Sequence, residues 1–310
     1  MNYIPKMLLS VFQNIKLPYS TASMINLPLI HKGKVRDVYQ IDDNNLLMVA
    51  SDRLSAFDVV LPDVIPYKGQ LLNQISNYWF NISSNIITNH LTHIPVQEVI
   101  TDADEDLIGR AVVVKKLKAL PVEAIVRGYI IGSGWKDYQK TGQICGIDLP
   151  ENLQQAEKFA EPIFTPSSKA LAGDHDENIS FAQMVDKIGE GLAQQVKDVS
   201  LKLYKMAADH AHKNGIIIAD TKFEFGLDTE NNLVLMDEIL TPDSSRFWNQ
   251  AKYKIGTSPE SYDKQFIRDY LETLDWDKTA PGPTVPKNII SATAEKYREA
   301  YQLITGEKFT

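Results

Sequence analysis

Between residues 220 and 226 the chain reads Asp220-Thr221-Lys222-Phe223-Glu224-Phe225-Gly226, a strict alternation of charged and bulky residues that ends on glycine. Successive side chains of a strand point to opposite faces, so the pattern puts Asp220, Lys222 and Glu224 on one side and Phe223 and Phe225 on the other. A charged face and a core face are thereby predicted for one strand. Turn formers at 228–232 follow, then the apolar run 233–236 and the acids Asp237 and Glu238. Two strands around such a turn make a hairpin, predicted over 216–226 and 233–239. The returning strand carries Asp237 back toward Glu224. Two convergent carboxylates suit magnesium, which takes a few carboxylates together with substrate phosphate oxygens. Lys222 between them would limit repulsion of a polyanionic substrate. A solvated strand face with cross-strand ion pairs is the plainer alternative.

Composition narrows the classes. With 310 residues, 44% of them hydrophobic, the chain can bury a core for one large domain or two. The longest apolar stretch near the start, 7–12, falls far short of the roughly 20 residues that span a bilayer, and no small-residue cleavage site follows it. A cytoplasmic protein without membrane partners is expected. Cys145 is the single cysteine; it fits a reducing compartment and reads as a spectator beside Ile144 and Ile147. A net charge of -8 argues against nucleic-acid binding, so any phosphate must be held locally.

Along the chain, strand and helix signals mix in the manner of an α+β fold. A strand over 34–41 and another over 46–50 flank turn formers at 42–45, and a helix over 71–87 is predicted to lie against that first sheet. The acids at 102–106 read as a solvated loop before a buried strand over 111–114. The chain then crosses at 115–120, which sets the boundary between a mainly antiparallel β lobe with a lid loop and helix, 1–116, and an α+β lobe, 117–310. Residues 122–131 read as β-rich, and 162–176 as an irregular loop. Ser180 with Gln183 forms a capping box before a helix. A second helix over 199–213 ends at Asn214 and Gly215, and Ser258 with Pro259 is predicted to start another. A proline-rich connector at 279–286 precedes a terminal helix over 287–305 closed by Gly306.

Several segments look built for anions. Gly33-Lys34-Val35-Arg36 sets two cations on alternate positions of a strand that starts at a glycine. In Pro121-Val122-Glu123-Ala124-Ile125-Val126-Arg127, Glu123 and Arg127 share a face inside an apolar run. Buried charges must be paired or bound, so the two either pair with each other or read a ligand. Ser133 lies between Gly132 and Gly134, where a backbone can approach a phosphate. Lys169 is a loop lysine able to reach a transferring phosphate, with a plain surface lysine as the alternative. Asp243-Ser244-Ser245-Arg246 delivers a guanidinium fork near the acids, unless Arg246 merely pairs with Asp243. The segment 51–58 reads as a ligand-facing loop. His90, His93, His210 and His212 show no metal spacing, and His31 and His175 stand singly. No serine elbow, zinc-protease, Walker or Rossmann motif occurs.

Taken together, Gly33-Lys34-Val35-Arg36-Asp37, Ser55-Ala56-Phe57-Asp58, the 121–127 segment, Gly132-Ser133, the 220–226 segment and Asp243-Ser244-Ser245-Arg246 resemble the SAICAR synthetases of purine biosynthesis, in order and approximate spacing over nearly the whole chain. The D-x-K-x-E-F-G and P-V-E-x-x-V-R segments carry most of the likeness. Ile131 departs from the Thr or Ala usual before Gly-Ser, at the floor of the ribotide pocket. Length and linker resemble the longer, single-function branch.

The resemblance implies a two-lobed α+β fold related to ATP-grasp and kinase-like architectures, with ATP in the interlobe cleft. It implies an ATP-dependent ligase that condenses 5-amino-1-(5-phospho-D-ribosyl)imidazole-4-carboxylate (CAIR) with L-aspartate, as a monomer or homodimer. Lys34, Val35, Arg36, Lys115, Leu117 and Lys169 then match the ATP side. Glu123, Arg127, Ser133, Lys222, Asp243 and Arg246 match the ribotide side. Glu224 and Asp237 ligate Mg2+ and act with Lys222 in catalysis, and Ser55 and Asp58 are assigned to aspartate. A small-molecule kinase and a non-catalytic nucleotide-binding regulator are the rival readings; the kinase lacks an H-R-D catalytic loop.

Overall fold

Two antiparallel sheets organise the chain, which a computed structural model describes over residues 25–169, 177–262 and 265–309. The apolar stretch 7–12, the end of the predicted loop 162–176 and His175 lie outside the described residues. The smaller sheet orders its strands Leu29–Lys32, Arg36–Gln40, Asn45–Ala50 and Ala111–Lys115. The larger one centres on Ile216–Leu227, flanked by Val122–Tyr129 on one side and by Leu233–Met236 and Ser245–Asn249 on the other. Short pieces at Lys118–Ala119, Lys158–Phe164, Ser167–Ser168 and Glu177–Asn178 extend it. Residues 88–92 stitch the sheets together. Leu235 N–H donates to the Thr88 carbonyl and His90 N–H to Leu235, while Lys115 N–H donates to the His90 carbonyl and Thr92 N–H to Val113.

The alternation of the 220–226 segment is realised as predicted. Phe223 and Phe225 are buried in the large core, which also takes Leu71, Ile75 and Trp79 from the Lys68–Ile82 helix and Tyr297 and Ile304 from the terminal helix. Each such side chain contributes about 1.5–3 kcal/mol on burial. The Lys68–Ile82 helix therefore serves the large core as well as the first sheet. It starts earlier than its apolar spacing suggests because Tyr67 turns the chain in a left-handed conformation, and it ends at Ile82, where Ser83 N–H bonds back to Trp79. Across the large sheet, Tyr204 reaches over Gly128 to donate to the Ile218 carbonyl at 2.6 Å. A side chain at 128 would collide with the tyrosine hydroxyl.

Other expectations are corrected by tertiary structure. The acidic stretch at 102–106 is no free loop: Asp104 caps the Glu105–Arg110 helix by accepting from Leu107 N–H, and Asp106 binds Arg110. The helix expected from residue 199 begins at Glu190 and runs to Lys213, since Ala193 and Val196 continue its buried stripe. Ser180 and Gln183 form the capping box, and the terminal helix spans Lys287–Thr305 with Gly306 closing it. No helix starts at Ser258: Tyr262 N–H donates to the Phe247 carbonyl and Ser261 bridges Trp248, holding 261–262 extended beside the sheet. The first strand, Leu29–Lys32, escaped the sequence reading, and the 162–176 loop contains strand residues that pair with Val122–Tyr129. Among the described residues, no helix is long and apolar enough to cross a membrane.

Candidate active site

The register of the large sheet brings the charged residues together. Asp220 lies opposite Arg127 and Lys222 opposite Ile125 on one neighbouring strand, while Glu224 lies opposite Met236 on the other. Lys222 Nζ donates to Glu123 at 2.8 Å and to Glu224 at 2.5 Å. Lys169 also grips Glu224, and Ser167 Oγ donates to Glu123 at 3.1 Å. Glu123 and Arg127 therefore do not pair with each other; each finds its partner across the strands.

Arg127 is buried, and each of its three nitrogens finds a partner while two N–H donors are left over. Its Nε donates to Thr165 Oγ1 at 3.0 Å, one terminal nitrogen to Asp220 at 3.2 Å and the other to Ser133 Oγ at 3.0 Å. Arg246 joins the same Asp220 carboxylate, not Asp243. Its guanidinium lies against Gly132, whose positive φ and missing side chain permit that approach. Ser133 sits in the first turn of the Gly132–Thr141 helix, within reach of this arginine pair. Ile131 is buried with Tyr129 and Trp248 in a small core cluster. Asp243 goes elsewhere, to Lys68 and Tyr297.

The smaller sheet contributes Arg36. The predicted strand from 34 to 41 is shorter at its start: Gly33 N–H bonds to the Arg36 carbonyl at 2.7 Å, so Lys34 and Val35 form a tight turn and only Arg36 enters the strand. Arg36 grips Asp237 and binds Glu238 at 2.8 Å. The strand of Asp237 ends sooner than expected, at Met236, and Asp237 itself takes a left-handed φ of 65°. That turn aims its carboxylate at Arg36. Half of the segment 51–58 is strand, Arg53–Ala56, whose hairpin tip presents Asp58 to Lys34 at 2.5 Å. Ser55 lies in that strand opposite Val60. Lys115 ends the smaller sheet and Leu117 covers Gly226 at the crossing to the larger one.

Electrostatics fix the protonation states. Burial works against charge on Lys222, but Glu224, Glu123 and Asp237 outweigh it and hold the ammonium well above its usual pKa. Lys222 is thus a permanent cation and no general base at neutral pH. Asp237 resists burial through Arg36 and Lys222, which bring it down to about 2. Burial raises Glu238, with the charges of Asp243 and Asp237 adding to the effect. Burial lowers Arg127 against the pull of Asp220. His90 packs on Phe80, and burial pushes it down to about 4. It lines a small cavity with Arg36, Ser76, Asp237 and Glu238.

The donor set bears on the expected magnesium. Glu224 and Asp237 flank one turn of hairpin, and both act on Lys222 and Arg36. Among the described residues no group of three or more His, Cys, Asp or Glu could hold a metal. Two carboxylates without a full cage fit an ion that arrives with nucleotide phosphates and takes its remaining oxygens from them. Sequence reasoning missed Asp220 as the acid shared by two arginines, although it stood on the predicted charged face. It also missed Thr165, Ser167 and His90, whose sequence context carries no signal.

Comparison with known proteins bears on the same arrangement. The family model for SAICAR synthetase matches residues 29–283. A phosphoribosylaminoimidazole-succinocarboxamide synthase of Stenotrophomonas maltophilia (strain K279a) is 59% identical over 292 residues, covering 90% of this chain and 94% of that protein. Among solved structures, a SAICAR synthase from Saccharomyces cerevisiae complexed with SAICAR superposes with a TM-score of 0.86 at 46% identity, covering 92% of this chain and 96% of that one. A type-2 SAICAR synthetase in complex with ADP gives 0.67 at 27% identity, over 90% and 99% of the two chains.

Proposed function

The chain belongs to the SAICAR synthetase family, and we propose that its reaction takes place on the charged face around Lys222. It is an ATP-dependent carbon–nitrogen ligase of purine biosynthesis that condenses CAIR with L-aspartate to give SAICAR, ADP and phosphate. A carboxylate is a poor acyl donor until one oxygen becomes part of a leaving group. In the proposed sequence a CAIR carboxylate oxygen attacks the γ-phosphorus of ATP and ADP departs. The aspartate amine then adds to the acyl carbon and loses a proton, and phosphate leaves with the activated oxygen. Such chemistry rests mainly on positioning and charge neutralisation.

On this reading Arg127 and Arg246 hold anionic groups of the ribotide, with Glu123 and Ser133 beside them. Lys34, Val35, Arg36 and Lys169 attend the ATP phosphates, and Lys115 with Leu117 lines the nucleotide where residues 1–116 meet 117–310. Glu224 and Asp237 hold Mg2+, which when bound neutralises phosphate charge. Lys222 stabilises developing negative charge as a fixed ammonium. Ser55 and Asp58 take the aspartate. The same reading places the enzyme in the cytoplasm as a monomer or homodimer that meets only small molecules.

One observation carries this reading: a two-carboxylate hairpin lies beside a pair of arginines that share Asp220, with Lys222 and Lys169 on the intervening acids. A coupled assay tests it. ADP release that requires both CAIR and L-aspartate is expected. Release with the ribotide alone and a stable phosphorylated product would make the protein a kinase, and no release would leave a nucleotide-binding regulator.

A further inference from the structure

Lys68 is fully buried at the start of the Lys68–Ile82 helix. Its ammonium lies 2.7 Å from Asp243 Oδ2 and 5.7 Å from the centre of the Tyr297 ring. Tyr297, equally buried on the terminal helix, donates its hydroxyl to Asp243 Oδ1 at 2.5 Å. Both carboxylate oxygens are thus engaged, and the Asp243 side chain is only 5% exposed. Removing such an ion pair from water is costly, and the cost is recovered only with good geometry and further hydrogen bonds. The tyrosine hydroxyl supplies one of those bonds.

Beyond Tyr297, the terminal helix also holds the residue that precedes Lys68, Tyr67. The Arg298 guanidinium stacks 5.1 Å from the Tyr67 ring and 5.9 Å from Phe309, and Tyr67 packs edge-on against Phe309. Asp243 in turn belongs to a tight hydroxyl-bonded turn. Thr241 N–H donates to Ser244 Oγ at 3.1 Å, and Asp243 N–H to Thr241 Oγ1 at 3.2 Å. Lys222 N–H donates to the Ser244 carbonyl at 3.0 Å, which ties this turn to the strand of the charged face. Arg246 leaves the turn two residues later.

We propose that Lys68, Asp243 and Tyr297 form a buried positioning triad through which the terminal helix fixes the 241–246 turn, and with it Arg246, for ribotide binding. Asp243 is the anchor of that triad, in place of the ribotide contact implied by resemblance. Lys68 and Tyr297 act through Arg246 without touching substrate. This inference rests on the reading that Arg246 binds the ribotide.

Three variants and one double variant decide it in steady-state assays of the full chain, with CAIR and ATP varied separately. Arg246→Ala tests the underlying reading: an unchanged CAIR KM removes that reading and this proposal with it. Tyr297→Phe keeps the ring and deletes one charge-assisted hydrogen bond; it should raise the CAIR KM about tenfold while the ATP KM stays within about twofold. Asp243→Asn removes the negative charge that faces the buried Lys68 ammonium, and adding Lys68→Met removes that ammonium. The double variant should recover at least about tenfold in kcat/KM for CAIR over Asp243→Asn alone. If Arg246→Ala weakens CAIR binding but Tyr297→Phe does not, the triad has no positioning role. A double variant no better than Asp243→Asn would mean that substrate needs the carboxylate itself, and that too overturns the proposal. Should Asp243→Asn fail to fold, Tyr297→Phe decides alone.

Discussion

Lys34–Asp58 and Lys222–Glu224 are both lysine–carboxylate pairs at 2.5 Å, yet they live in opposite surroundings. The first joins a tight turn to a hairpin tip, with both side chains more than half exposed. The second is partly buried, and each partner also serves another charge, Glu123 or Lys169. Water and salt screen the outer pair, so it can open at little cost. The inner pair cannot lose a member without stranding the rest. Identical contact chemistry thus suits a movable edge in one place and a fixed floor in the other.

Breaking the inner network should give the largest effects. Glu224→Gln or Asp237→Asn is expected to lower turnover by about three orders of magnitude or more while the far-UV spectrum stays native; near-normal turnover of either variant at limiting magnesium would remove the metal assignment. Arg127→Ala should raise the CAIR KM about thirtyfold, equivalent to about 2 kcal/mol, and leave the ATP KM much less affected. Equal effects on both substrates would contradict its ribotide role.

His90 has its pKa pushed down by burial from 6.5 to about 4, so the unfolded chain takes up a proton that the folded one refuses. Stability from this group is therefore intact above about pH 6.5 and falls between 6.5 and 4, with about 1 kcal/mol gone by pH 5.5. Denaturant titrations of wild type and His90→Gln should differ in slope over that window, and parallel curves would refute the assignment. The smallest effect belongs to the outer pair. Lys34→Ala should change folding stability by less than about 0.5 kcal/mol, yet raise the ATP KM several-fold if the turn covers phosphates. A calorimetric loss well above that figure would show that the edge is not loose after all.

What the sequence made legible was local. Strict alternation located the long strand, Ser180 with Gln183 marked a helix start, and Gly306 marked a helix end. The partners of buried charges were not legible. Glu123 meets Lys222 and Arg246 meets Asp220 because of strand register, which brings together residues far apart in the chain. Lys68 carries no local sign that it is buried. The expected helix at Ser258 failed for a similar reason: a good capping dipeptide was overridden by pairing of Ser261 with Trp248. The charged strand of the candidate site was thus readable in the sequence, while the bonding among its residues, Asp220 between two arginines and Asp243 on Lys68, had to await three dimensions.

Gly128 stands beside Arg127 and beneath the Tyr204 hydroxyl, where even a methyl group would force the tyrosine off the Ile218 carbonyl and disturb the strand that sets Arg127 opposite Asp220. A residue with no functional group of its own thereby helps to keep the proposed ribotide arginine in register with Asp220. Genetic screens for inactivating or temperature-sensitive alleles should accordingly recover changes at codon 128 about as readily as at codon 127.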